Sequence, residues 1–373
     1  MILSDFRYYD PWAKAEEAFT LPNLFHRSQL QQRENQQAEA KHKTLDGLLD
    51  KLSQKDIIGL DVAREYLRHK YRQNCKANTL KNDFTTITLF LSYLKKCGRS
   101  ELNQLSRADL EAFVEHEQDR GLKIVSVSNR LGSLYAFLRY LIDRDLADAD
   151  LLRRKIKLKV PDALPRAMDP EDIKCLLEVL VDVRNRAMIL LLLRTGMRIG
   201  ELLNTKLVDV HLADNKILIY EGEKNRKGRA VCISEDACQA LSAWLQKRDP
   251  QKEYLFYGRG GNPMSYNNAR VIFKKYLKQA GLEHKDYSLH CLRHTFATEL
   301  LNAGMRIECL QQLLGHSSIE MTLRYGRLSD KAREQEYFRA MAIIEGGQAD
   351  GFNQRDRQLP PLFEETQLLD PYR

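Results

Sequence analysis

Hydrophobic positions recur along most of this chain at alternating steps of three and four, the spacing of one face of an α-helix. Leu80, Phe84, Ile87, Leu91 and Leu94 form one such stripe, with Thr79 able to cap its start and Gly98 beyond its end. Ser106 and Asp109 have capping-box spacing and open a second stripe of Leu110, Phe113 and Val114 that closes at Gly121. A third stripe runs through Val127, Leu131, Leu134, Leu138 and Leu141, leaving Arg130, Arg139 and Arg144 off its apolar face. With a further helix expected from Leu60 to Arg72, the region predicts a four-helix unit whose polar faces are rich in Lys and Arg. Residues 1–44 mix aromatics with the polar run HRSQLQQRENQQAEAKHK and lack a stripe wide enough for a core, so they read as an appendage, helical or loose.

The helical period breaks at LRRKIKLKVPDALPRAMDPEDI, where Pro161 and Pro165 indicate extended chain and Asp169 followed by Pro170 marks a helix start. The expected organisation is an appendage over 1–44, a helical domain over 45–160, a linker over 161–168, a second domain over 169–345 and a tail over 346–373. Lys157 and Lys159 in the basic approach to the linker suit a strap across a phosphate backbone. The second domain opens with a helix on Ile173, Leu176, Leu177 and Leu180, followed by AMILLLL, a run that reads as a buried core helix. After Thr195 and Gly196 a new helix carries Arg198 and Glu201 on one face. KILIYE and RAVCIS read as two strands joined by GEKNRKG, which holds Lys224, Arg226 and Lys227. Helices follow over 235–247 and 265–281, the latter with Asn267, Asn268, Arg270, Lys274 and Lys275 as candidate phosphate contacts. The fold class is therefore mainly α with a small β-sheet, of α+β type in the second domain.

Charge sharpens this picture modestly. The 59 Lys and Arg against 51 Asp and Glu leave a formal charge of +8, which suits a polyanionic partner, and 43% hydrophobic content supports real cores. Seven cysteines without a C-x-x-C pair indicate reduced thiols and no zinc ribbon. No segment approaches about 18 uncharged apolar residues, and the N-terminus lacks a basic stretch followed by an apolar one, so a cytoplasmic, non-membrane protein is expected.

The densest chemistry lies in SLHCLRHTFATELLNAGMRIECLQQLLGHSSIEMTLRY, residues 288–325. Ser288 can cap a helix on which His290 and Arg293 share a face, aimed away from a stripe of Leu292, Phe296, Ala297, Leu300 and Leu301. His290 and His294 also have the i, i+4 spacing of a zinc helix, with Cys291 and His316 as further ligands. The intervening residues hold no Glu base, and an arginine beside a dication is unfavourable, so no metal is expected. His294 then reads as a packing neighbour.

Arg198 within TGMRIGELL, the hairpin lysine, the His290, Leu292, Arg293, His294 string, LLGHSS and Tyr325 together resemble the tyrosine recombinase and phage integrase family, near its Xer-like branch. The preceding helical unit resembles the family's core-binding, DNA-clamping domain. The resemblance implies cleavage and rejoining of double-stranded DNA through a 3'-phosphotyrosyl intermediate, with no metal, cofactor or ATP. Tyr325 would be the nucleophile, with Arg198 and Arg293 charging the phosphate site and Glu201 supporting Arg198. Lys224 fits the leaving-group acid best, with Lys227 as the fallback. His290 would accept the tyrosine proton, and His316 would donate to a phosphate oxygen or position the nucleophile. Arg130, Lys157, Lys159, Lys227, Arg270 and Lys274 are the expected DNA contacts.

A homotetramer on paired sites, monomeric or dimeric without DNA, is the implied assembly, with accessory DNA-binding proteins as further partners. A terminal helix over 330–344 would pack on a neighbouring subunit or on its own domain. The chain departs from the family pattern with Thr205 where Leu is usual and Arg327 where His is frequent. Two other function classes share parts of this pattern. A type IB topoisomerase would relax DNA by the same chemistry, and a DNA-binding regulator would keep the clamp without cleavage.

Overall fold

The computed structural model describes residues 27–161, 165–220, 228–316, 318–326, 337–338 and 341. Outside them lie residues 1–26 of the expected appendage, Lys224, Arg226 and Lys227 between the two strands, Ser317 and Arg327, and the tail over 346–373. Of the expected terminal helix only residues 337, 338 and 341 are described. The chain divides into two compact units, residues 1–163 and 164–373.

The α-helices of the first unit are α1 (Arg27–Ser53), α2 (Leu60–Arg72), α3 (Ala77–Lys96), α4 (Arg107–Asp119), α5 (Ile124–Ile142) and the short α6 (Asp150–Arg153). The α3, α4 and α5 stripes face inward as their periodicity predicts, with Leu80, Leu91, Leu110, Leu134 and Leu141 at 0–1% exposure. Ser106 and Asp109 form the expected capping box, the Asp109 carboxylate accepting the Ser106 N–H at 2.9 Å. Tyr66 packs edge-on against Phe137 and Tyr140, and Phe90 against Phe113.

One difference concerns residue 44, which is no structural break. Helix α1 runs through it, and Leu45, Leu48 and Leu52 dock its last third in the core. The polar run expected to be separate is thus continuous with a fifth long helix, because three apolar positions at helical spacing suffice to seat one end.

In the second unit the organising element is α8 (Val183–Thr195), whose residues Ala187 to Leu193 are all at 0–2% exposure. Such a segment can exist only with neighbours around it. The α7 helix (Pro170–Glu178) precedes it, and α10 (Glu235–Lys247) and α12 (Leu289–Asn302) pack directly on it. Between them come α9 (Ile199–Leu203), a three-stranded antiparallel sheet and α11 (Tyr266–Gln279).

The sheet order is β1 (Val210–His211), β2 (Lys216–Ile219), β3 (Arg229–Cys232), so a short strand joins the two expected ones. In the β2–β3 register Ile217 faces Val231 and Ile219 faces Arg229, placing Arg229 on the same side as the buried Val231. After α12 come α13 (Ile307–Leu314) and α14 (Glu320–Gly326), which pack on it.

Two glycines contrast a constrained backbone position with an open one. Gly196 ends α8 at φ 60°, and a Cβ there would lie 2.3 Å from the Phe296 ring and 3.0 Å from Leu314. Gly132 lies mid-helix in α5 with open space around it. Gly196→Ala should therefore cost at least ~2 kcal/mol through strain and overpacking, whereas Gly132→Ala should stabilise by ~0.5–1 kcal/mol. Denaturant titrations of the two variants check both signs.

Candidate active site

Three elements converge on the C-terminus of α13. That helix stops at Gly315, whose φ of 60° gives the left-handed terminator, and its last carbonyls have no partners within the helix. Three arginines take them in succession. Arg229 Nε donates to the Leu313 carbonyl at 3.0 Å, Arg293 Nη2 to Leu314 at 2.7 Å and Arg198 Nη2 to Gly315 at 3.4 Å. Cations belong at this end of a helix, where the peptide dipoles leave partial negative charge.

Glu201 ties two of these guanidiniums together. Its carboxylate accepts Arg198 Nη1 at 2.9 Å and the Arg198 backbone N–H at 2.9 Å, then Arg229 Nη1 at 3.1 Å and Nη2 at 2.7 Å. The group is 6% exposed. Burial pushes its pKa up, but the Arg229 and Arg198 bonds outweigh that and bring it from 4.5 down to about 2. Thr205, the departure from the family pattern, donates its hydroxyl to the Glu201 carbonyl at 3.0 Å and so has a polar partner in its buried place.

Arg293 is 2% exposed, among the most enclosed side chains of the chain. The two residues expected on one face of the helix differ in exposure: His290 is exposed, while Arg293 runs beneath the turn that follows α13. It donates Nη1 to the Gly196 carbonyl and Nη2 to His316 Nε2 at 3.0 Å as well as to Leu314. Desolvation, reinforced by the charge of Arg198, brings its pKa from 12.5 to about 10, so it stays cationic at neutral pH.

A guanidinium can only donate, so His316 Nε2 accepts and its Nδ1–H donates to Thr322 Oγ1 at 2.9 Å. The tautomer of His316 follows from this, and burial together with the nearby arginines holds its pKa at about 3. Through Thr322 the ring grips α14, the helix that carries Tyr325.

Tyr325 is 3% exposed and its hydroxyl lies 2.9 Å from His294 Nδ1. Its ring is parallel to that of His316, with centroids 6.1 Å apart, and tilted against His294 at 5.4 Å. His290 meets His294 edge to face at 4.4 Å. Burial raises the phenol pKa against the opposing charge of Arg293. His294 is held neutral, at about 4, by burial and by the neighbouring His290 and Arg293.

Two of these residues have no assigned role in the sequence patterns. His294 reads there as a packing neighbour, yet its ring meets the Tyr325 hydroxyl; the His290–His294 spacing by itself suggests only a metal. Arg229 gave a signal in its strand, since period-two alternation sets this charge on the inward face with Val231. The candidate surface contacts divide. Lys157, Lys159, Arg270 and Lys274 are exposed, whereas Arg130 is half-buried and ion-paired with Glu117, which is 1% exposed and also takes Arg120 at 2.6 Å. The Arg130 guanidinium is therefore less open to a phosphate than those four side chains, since it shares the buried Glu117 carboxylate with Arg120.

The model of the phage integrase family matches residues 166–332, and that of the phage integrase N-terminal SAM-like domain matches residues 60–148. The tyrosine recombinase XerA of Thermococcus kodakarensis is 34% identical over 222 residues, 58% of this chain and 76% of that protein. XerA of Pyrococcus furiosus is 30% identical over 265 residues, 70% of this chain and 88% of that protein. The chain belongs to the tyrosine recombinases of the phage integrase family.

The fold is that of the Tn1549 transposon integrase, solved with a circular intermediate DNA, at a TM-score of 0.60 and 22% identity over 72% of this chain and 95% of that one. This recombinase is thus a DNA strand-breaking and rejoining enzyme built as a helical SAM-like domain followed by a catalytic domain. No helix among its described residues is long and apolar enough to cross a membrane.

The buried neutral histidines and the buried carboxylate of the recombinase make its stability depend on pH in one direction. His294 falls from an ordinary 6.5 to about 4 and Glu201 from 4.5 to about 2. Each binds fewer protons folded than unfolded, so stability rises with pH across its window. The histidine contribution is complete above pH 6.5 and is lost as pH falls through about 4; that of Glu201 is complete above 4.5 and is lost toward about 2. Thermal melts should show a falling midpoint from pH 7 to 4, with a shallower fall for His294→Asn. An equal slope in that variant would contradict the assignment.

Proposed function

We propose that Tyr325 is the nucleophile of site-specific recombination and that the arginine-lined turn after α13 is where the scissile phosphate sits. The observation that carries this reading is the Tyr325 hydroxyl, buried, 2.9 Å from a neutral imidazole and stacked beside the His316 that Arg293 holds.

In the cleavage step the Tyr325 oxygen attacks phosphorus, a P–O bond forms to tyrosine, and the bond to the 5'-oxygen breaks. The energy of the phosphodiester is conserved in the phosphotyrosine, so rejoining needs no external source. Arg198 and Arg293 offer fixed donors to the non-bridging oxygens, where negative charge grows as the transition state forms. The phenol proton passes to the histidine pair, with His294 as its immediate partner and His290 behind it. An anionic phosphate arriving beside these rings raises their pKa and improves them as acceptors. Lys224, or Lys227 in the same segment between β2 and β3, protonates the departing 5'-oxygen. His316 positions the nucleophile through Thr322.

Double-stranded DNA is the substrate in this reading. Support comes from the family, the formal charge of +8 and the exposed Lys157, Lys159, Arg270 and Lys274. The working assembly is a homotetramer on paired sites in the cytoplasm, associated with the nucleoid, with accessory DNA-binding proteins recruited as needed.

SDS trapping in cells followed by sequencing of the covalently attached DNA identifies the cleaved site, from which a nicked duplex is built. On that duplex the wild type should give an SDS-resistant adduct and Tyr325→Phe none. An adduct surviving in the variant would remove Tyr325 from its role. Lys224→Ala should slow cleavage by at least ~100-fold and recover on a 5'-thio leaving group, which needs little protonation. Recovery of Lys227→Ala in its place would transfer the acid to that residue.

A further inference from the structure

We propose that Arg229 is a positioning residue of this reaction, acting through Glu201 on Arg198 and through the Leu313 carbonyl on the turn that carries His316. The inference rests on the assignment of Arg198 and Arg293 to the phosphate. It adds a residue outside the motifs that carried that assignment: Arg229 is the first residue of β3, thirty-one positions after Arg198 and sixty-four before Arg293.

The geometry separates Arg229 from an ordinary ion pair. Its two terminal nitrogens fork onto both Glu201 oxygens at 3.1 and 2.7 Å while Nε reaches the Leu313 carbonyl at 3.0 Å, so one rigid plane spans two elements. The side chain is 9% exposed. Gly315 packs against it so closely that a Cβ there would lie 3.0 Å from Nη1 and 3.2 Å from Cδ and Cζ. Sliding of the plane is blocked on that side, and the Arg198 contact to the Gly315 carbonyl lies on the same turn.

Charge gives this arrangement a purpose. Arg198 bound to Glu201 alone would be a neutral pair, and a neutral pair attracts a phosphate weakly. Three guanidiniums against one carboxylate leave two positive charges at the site, with the His294 and His316 rings neutral. A phosphodiester carries one negative charge and its pentavalent transition state more, so the surplus that Arg229 supplies matches the transition state better than the substrate. Fold stability alone does not call for such a cluster, because buried ion pairs are often replaceable by apolar groups without loss.

The test is a double-mutant cycle on the nicked duplex, read as single-turnover adduct formation at saturating DNA. Arg229→Met and Glu201→Gln should each slow cleavage by about 10- to 100-fold, with DNA affinity changed less than about 3-fold, and the double variant should cleave no more slowly than the poorer single one. Independent, multiplicative losses, a wild-type rate for Arg229→Met, or a loss confined to DNA affinity would each overturn the role. If Arg229→Met fails to fold by circular dichroism, Arg229→Lys keeps the cation but cannot fork onto Glu201 and reach Leu313 together; it should cleave about 10-fold slower, and an unchanged rate overturns the role. Absence of any wild-type adduct would strike the assignment of Tyr325, whereas a normal wild-type adduct with an equally fast Arg229→Met strikes only Arg229.

Discussion

The C-terminus of α13 is a cluster of carbonyl groups that nothing in its own helix can satisfy, and the arginine cluster is built on that need. Leu313, Leu314 and Gly315 are each taken by a guanidinium from a different element: β3, α12 and the start of α9. Each of these contacts satisfies buried backbone and at the same time fixes a cation within reach of the others. Glu201 makes the cluster tolerable by taking four donors on one carboxylate, which lowers repulsion between Arg198 and Arg229 without cancelling the net positive charge.

The same turn explains how Tyr325 is held. Beyond Gly315 the chain presents His316, which is oriented on one side by Arg293 and grips Thr322 on the other. Tyr325 lies one helical turn further on, between the His316 and His294 rings. A rigid floor thus passes its geometry to the tyrosine through a short run of side-chain contacts. Placement of Tyr325 and of the arginine cluster depends on one set of bonds, so a change in α14 would be felt at the arginines.

Most of the fold was legible as periodicity. The stripes of α3, α4 and α5, the Ser106 box and the apolar run of α8 lie where their spacing places them, because burial of a continuous face is a local property of the pattern. The continuity of α1 past residue 44 was not, since a polar helix end has no periodic signal and is seated by a few leucines far along the chain. The two-residue β1 was too short to carry alternation and exists because β2 offers it an edge.

For the site, residue chemistry and motif order were enough to single out Arg198, Glu201, Arg293, His316 and Tyr325, since each belongs to a recognisable string with its own local spacing. What only the tertiary structure decided is which of them touch. Arg293 is enclosed while His290 is exposed; His294 and not His290 meets the tyrosine hydroxyl; Arg229 joins the carboxylate from a strand with no motif of its own. Chain spacing constrains neighbours within a turn or two of helix. Apart from the local Arg198–Glu201 and His316–Thr322 contacts, the bonds that join this site link residues 21 to 117 positions apart, and their partners are set by how α12 and α9 pack on α8 and α13 packs on α12 and β3.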